Sequence, residues 1–164
     1  MSRQLTIRNR QRTRAIDLRL LRRIVDGLFD GLPRFEAADL GLFLVGAPEM
    51  TRLNETFLLH AGPTDVITFD YADPAAGVTP QVLRLHGEIF VCVDEAIVQA
   101  RRFRTTWQAE VVRYVIHGVL HLLGHDDHRA VARRKMKREE NRLLKSLSAR
   151  FALSRLARKS KLRL

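Results

Sequence analysis

Four of the six histidines in this chain fall within twelve residues, "HGVLHLLGHDDH" at 117–128, and the rest of that stretch is mostly leucine and glycine. His117 and His121 stand four residues apart. On a helix this spacing turns both rings to one side, about 40° and one turn apart. Two imidazoles so placed can share one metal ion. Gly124 then stops the helix and lets the chain double back, so a ligand a few residues on can approach from a third direction. Three protein ligands with one open position are the arrangement of catalytic zinc. A water in the open position would be acidified toward neutral pH and serve as nucleophile. A lone histidine on an apolar helix is usually a core residue with a satisfied hydrogen bond. Two at this spacing, followed by a glycine turn and more Asp and His, point to a site for one Zn2+ ion instead. Peptide hydrolysis is disfavoured. Zinc peptidases of the H-E-x-x-H kind carry the general base beside the first histidine, and here that position is Gly118.

A helix must carry these ligands, and "TTWQAEVVRYVIHGVLHLLG" (105–124) is apolar on most faces, so it reads as long and central. Trp107 near its start reads as core. Upstream, the patterning predicts a short strand over 4–8 and a helix over 15–29, ended by "GLP" at 31–33. A strand over 39–46 and a helix over 48–60 with Pro48 in its first turn follow. Residues 65–71 read as a strand, 72–81 as a loop, 82–94 as a strand broken near Gly87, and 94–103 as a helix. A last basic helix is expected over 129–147. The order argues for an α+β fold, a small mixed sheet covered by helices, in a single domain over 1–148. Residues 149–164 form a basic extension, read as either continued helix or disordered, and so removable without loss of the fold.

The net charge of +11 is unevenly placed. Residues 1–23 hold eight Arg against one Asp, and 129–164 hold fourteen Lys or Arg against two Glu. The body between them carries fifteen acidic and seven basic residues. Two basic ends on an acidic body suggest a polyanionic partner; the bland alternative is a solvated helix face and a frayed tail. No stretch approaches the ~20 apolar residues that span a bilayer, and the basic start lacks the apolar segment of a secretory signal. The single cysteine, Cys92, excludes an internal disulfide and fits a reducing compartment. It reads as a small buried hydrophobe.

"HGVLHLLGHDD" resembles the H-G-x-L-H-L-x-G-[YHF]-x-[HD] signature of the YbeY family, bacterial rRNA maturation factors described as metal-dependent endoribonucleases. "LNETFLLHAGPTDVITFDY" (53–71) and "GEIFVCVDEA" (87–96) resemble further family segments in order and spacing, so the likeness spans roughly 38–128. It implies a zinc-binding helix in a small α+β fold, a cytoplasmic location and a role in ribosome biogenesis. The implied partners are rRNA and the small ribosomal subunit, without DNA specificity or a membrane.

Two positions depart from the family pattern. The third histidine of H-x3-H-x5-H falls on Asp127, with His128 one residue further. The spacing favours Asp127, because a shift of one residue turns the side chain away, and a carboxylate oxygen is a competent zinc ligand; His128 is the alternative. An aspartate should also raise the pKa of the bound water relative to an all-histidine site. Where many members carry Y-R, this chain has Phe57 and Leu58. The resemblance gives that arginine a phosphate-binding role. His60 is the candidate to take over proton transfer or phosphate binding, with Arg52 and Arg84 as alternatives.

Other residues divide between site and scaffold. Thr64 and Asp65 could start the strand or hydrogen-bond a ligand histidine. His125 reads as a turn residue with a lesser claim to be a base, and Asp126 as a solvated turn carboxylate. Arg101, Arg102 and Arg104 line a phosphate groove or solvate a helix end. The leading expectation is a single-strand-specific, zinc-dependent endoribonuclease acting in rRNA maturation, with His117, His121 and Asp127 as ligands. The rival is a non-catalytic ribosome assembly factor with a structural metal.

Overall fold

The computed structural model describes residues 2–33, 35–72 and 83–159. Its four-stranded sheet has the order β1 (Ser2–Asn9), β2 (Phe35–Val45), β4 (Leu83–Cys92), β3 (Val66–Asp70). The first three strands run parallel, and β3 is antiparallel to β4. Helices α1 (Leu18–Asp30), α3 (Val93–Phe103), α4 (Trp107–Leu122) and α5 (Ala130–Arg150) complete the main core, and the short α2 (Ala47–Leu53) belongs to a second one. This is the mixed sheet with covering helices that the element order implied.

Strand alternation divides the apolar residues between two faces. Leu40, Leu42 and Leu44 of β2 join Leu85, Ile89 and Val91 of β4 in the main core, beneath α1 and α4. On the other face Val45, Ile67, Phe90 and Cys92 pack with Met50 of α2, and the rings of Phe43 and Phe90 stack with centroids 4.7 Å apart. Cys92 is fully buried, and that burial pushes its thiol up to about 11, as the reading of an inert small hydrophobe requires.

Two glycines set how closely α4 approaches the sheet. A Cβ at Gly118 would lie 2.7 Å from the Ile89 side chain and 3.0 Å from that of Thr68. One at Gly87 would meet the Phe69 carbonyl oxygen at 2.5 Å and the Leu122 side chain at 2.7 Å. Gly87 therefore does not break its strand as expected. It pairs on both sides, with Leu40 and Asp70, and makes room for the helix.

The helix expected over 48–60 is α only as far as Leu53. Residues Asn54–Leu58 form a π-helical turn that ends at Leu59 with φ 56°, and the buried Asn54 side chain donates to the Gly62 carbonyl at 2.9 Å. A π turn inserts one extra residue into the helical ladder and shifts which side chains face inward. The helix expected from residue 15 starts at Leu18 because Asp17 caps it, accepting a hydrogen bond from the Leu20 amide at 3.0 Å.

The C-terminal extension also differs from expectation. α5 continues to Arg150, and Leu153–Leu156 form a 3-10 turn whose Leu153 and Leu156 are part of the main core. Backbone hydrogen bonds from Asp17 to Leu156 and from Arg158 to Ala15, each 2.9 Å, tie this segment to the start of α1. Over 151–159 the chain is thus neither continued α-helix nor loose, because apolar burial and two main-chain bonds hold it. Residues 160–164 of the extension, and nearly all of the loop expected over 72–81, lie outside the described residues. No helix among the described residues is long and apolar enough to cross a membrane.

Candidate metal centre

Helix α4 begins at an N-cap, with the Thr106 side chain accepting from the Ala109 amide. It ends in a Schellman turn. The Gly124 amide bonds the His121 carbonyl at 2.9 Å and the His125 amide bonds the Leu120 carbonyl at 3.0 Å, with Gly124 at φ 93°. This turn folds residues 125–127 back over the last turn of the helix. His117 Nε2 and His121 Nε2 come within 3.0 Å of each other, and Asp127 Oδ2 lies 3.7 Å and 3.5 Å from them. Nitrogen donors bound at about 2.0–2.1 Å around a tetrahedral ion are about 3.3 Å apart, so the three atoms already stand near the edges of such a polyhedron.

The other nitrogen of each ring explains why these atoms converge. His117 Nδ1 meets the Glu140 carboxylate at 3.0 Å, and His121 Nδ1 meets the His125 carbonyl oxygen at 3.0 Å. Both partners are acceptors, so each Nδ1 carries the proton and each Nε2 of a neutral ring presents a lone pair. Two lone pairs aimed at one another across 3.0 Å, beside a carboxylate, repel unless a proton or a metal ion lies between them. The donor set and its geometry therefore fit a divalent metal ion.

Glu140 was not singled out from sequence. It is 3% exposed, yet it also accepts from Arg113 at 2.9 Å and Lys137 at 3.2 Å. Burial alone would raise this carboxyl, but the bonds from His117 and Arg113 and the charge of Lys137 outweigh it and hold it at about 2. For His117, burial works against the charged form, while Glu140, Asp65 and Asp127 outweigh it and raise the pKa. The sequence signal for Glu140 was its place in the buried stripe Met136, Glu140, Leu143, Leu147. A carboxylate in line with core residues needs a partner.

The remaining candidates fall into place around this group. His128 has a side chain 90% exposed and sits 3.9 Å from Asp126, whose carboxylate accepts from the His128 amide as a turn cap. Asp126, Asp127 and His128 could also approach a common ion, but two of the three are exposed. His125 contributes its carbonyl rather than its ring, and partial burial lowers its pKa. Asp65 accepts from Thr64 and from the Val66 amide, so it starts β3 and makes no hydrogen bond to a ligand histidine. His60 is exposed beyond the π turn, outside the triad, and Leu58 is exposed beside it. Arg52 lines a separate cavity with Arg10 and Glu49. Arg101, Arg102 and Arg104 close α3 as exposed residues. Gly118 faces the sheet, so a glutamate there would collide with Ile89 rather than serve the site.

A family model described as "Endoribonuclease YbeY" matches residues 6–148. The chain is 36% identical over 144 residues to "Endoribonuclease YbeY" of Chlorobium luteolum, covering 88% of this chain and 98% of that protein. It is 30% identical over 146 residues to the protein of the same name from Salinibacter ruber, covering 87% and 91%. Its fold is similar to the solution structure of TM1509 from Thermotoga maritima. There the TM-score is 0.63 at 22% identity, over 98% of this chain and 99% of that one.

Proposed function

This chain belongs to the endoribonuclease YbeY family, and from that premise we propose that it is a metal-dependent endoribonuclease, specific for single strands, that acts in rRNA maturation in the cytoplasm. The observation that carries the metal requirement is the convergence of His117 Nε2, His121 Nε2 and Asp127 Oδ2, with a hydrogen-bond acceptor behind each ring. His117, His121 and Asp127 would hold one divalent ion, with zinc favoured by two imidazoles and one carboxylate. Bound there, the ion supplies Lewis acidity toward a phosphoryl oxygen and lowers the pKa of water in its open position. Two neutral imidazoles and one carboxylate leave a divalent site with net positive charge, which attracts a phosphodiester. Glu140 holds His117 in its ligating tautomer. The exposed cations at the start of α5 and along it, among them Arg129, Arg134 and Arg138, draw RNA toward the site, so affinity falls as salt rises. His60, exposed beyond the π turn, meets phosphate from the solvent side, and His60→Ala then raises KM more than it lowers kcat.

The experiment is cleavage of an unstructured RNA by purified protein with and without chelator, beside His117→Ala. The proposal expects cleavage that chelation abolishes, that added metal restores, and that His117→Ala lacks. Equal cleavage by His117→Ala contradicts it. Leucine at position 58, where many family members have arginine, favours the second reading of a non-catalytic factor that binds the small subunit. In that case metal-loaded protein binds RNA and leaves it intact.

A further inference from the structure

A cavity of about 410 Å³ opens beside the triad, with His117 and Asp127 on one wall and α3 and α5 closing the others. Cavities of ~300–1,000 Å³ take small molecules of nucleotide size. Three features of its lining are unexplained by packing. Tyr114 is 5% exposed and its buried hydroxyl has no hydrogen-bond partner. Phe103 is 62% exposed although it ends a helix beside a buried core, with the Arg102 guanidinium 5.4 Å from its ring centroid. Arg133 lines the cavity from α5 as an exposed cation, and no hydrogen bond or ion pair involves its side chain among the described residues.

The charges say which part of an RNA would enter. Glu140 and Glu110 are buried in the lining, and Asp65 lies there too. Glu140 is already bonded to Arg113, Lys137 and His117, so Glu110 and Asp65 are the carboxylates that repel a phosphate and can accept from the amino and imino donors of a neutral base. Arg113 and Lys137 also line the cavity but are paired with Glu140, so a phosphate finds unpaired positive charge toward Arg133 and the triad. Resting on the nuclease reading above, we infer that this cavity is a subsite for one nucleobase of single-stranded RNA, next to the phosphodiester held at His117, His121 and Asp127. Phe103 offers the base a stacking face, as aromatic residues do for unpaired bases. Tyr114 gives its hydroxyl to the base edge. Arg133 pairs with the phosphate that follows. A base inside a duplex cannot leave its stack without cost, so the subsite supplies a physical reason for a preference for unpaired RNA.

The test uses nucleoside 5′-monophosphates, which have no internucleotide bond to cut, titrated into metal-loaded protein and followed by NMR. UMP, CMP, AMP and GMP are compared on wild type, Tyr114→Phe and Phe103→Ala. Neither substitution removes a core side chain's bulk, and neither residue belongs to the triad. Shifts are expected at the cavity. Phe103→Ala should weaken all four roughly tenfold, the worth of one stacking contact. Tyr114→Phe should weaken some bases about three- to tenfold and spare others, as loss of one hydrogen bond does, and should alter the base preference of RNA cleavage at unchanged metal content. Unchanged affinities and base preference in both variants, or shifts confined to another surface, overturn the subsite even if RNA is cut. Binding in the cavity with these effects, but with no RNA cleavage, leaves the subsite standing and overturns the nuclease reading.

Discussion

Two regions brace the same pair of imidazoles, and they do it differently. The glycine turn after α4 holds His121 with a backbone carbonyl four residues away and swings Asp127 into place through local hydrogen bonds. Helix α5 holds His117 with the Glu140 carboxylate, 23 residues distant, itself neutralised by Arg113 and Lys137. The first brace is written in one short segment and works whenever α4 forms. The second exists only when α5 is docked, and α5 packs against α1 and α4 in the same core as Leu153 and Leu156 of the C-terminal segment. One half of the proposed site thus depends on local geometry and the other on the tertiary fold.

The widest break in the local brace is Asp127→Ala. It should strip the metal on dialysis, as measured by metal content, whereas His128→Ala retains it; the reverse pattern would reassign the third ligand. For the distant brace, Leu156→Ala removes a fully buried side chain from beneath the C-terminal segment and should cost about 2–5 kcal/mol in denaturant unfolding. Truncation after residue 148 should cost at least as much, so a truncated protein as stable as the full chain would contradict the docking of this segment. Glu140→Gln keeps the shape of the side chain but removes its charge. Metal affinity should fall by about 10- to 100-fold, the usual effect of losing a carboxylate behind a ligand histidine, and competition with a chromophoric chelator measures it. Gly124→Ala meets no side chain, so only the backbone at φ 93° resists it. It should cost about 1–2 kcal/mol of stability in metal-free protein. Equal losses of metal affinity and stability in both of these last variants would erase the distinction between the braces.

What the sequence made legible follows the same division. His117, His121 and Asp127 could be grouped because one helix and one turn hold them all, and helical spacing fixes their relation. Glu140 escaped notice because its partner lies on another helix, although its alignment with Met136 and Leu143 marked it as an inward-facing carboxylate. The α+β class followed from the order of elements, but the strand order β1-β2-β4-β3 depends on pairings between distant segments. The segment 151–159 looked like a loose basic end because its apolar anchors, Leu153, Leu156 and the partly buried Phe151, are scattered among cations, and their complement lies in α1 and its start around Ile16 and Asp17. The π turn at 54–58 has no periodic signature of its own. It shows only as the point where the apolar stripe of α2 fails, with Phe57, Leu58 and Leu59 left exposed.

X-ray absorption at the zinc edge, on protein loaded with one equivalent of zinc, tests the central claim most directly. The account predicts one ion per chain bound by two imidazole nitrogens at about 2.0–2.1 Å and by oxygen donors, one of them lost in Asp127→Ala and one exchangeable with added anion. A zinc bound by a thiolate, by a third imidazole, or by protein donors alone with no exchangeable position would contradict it.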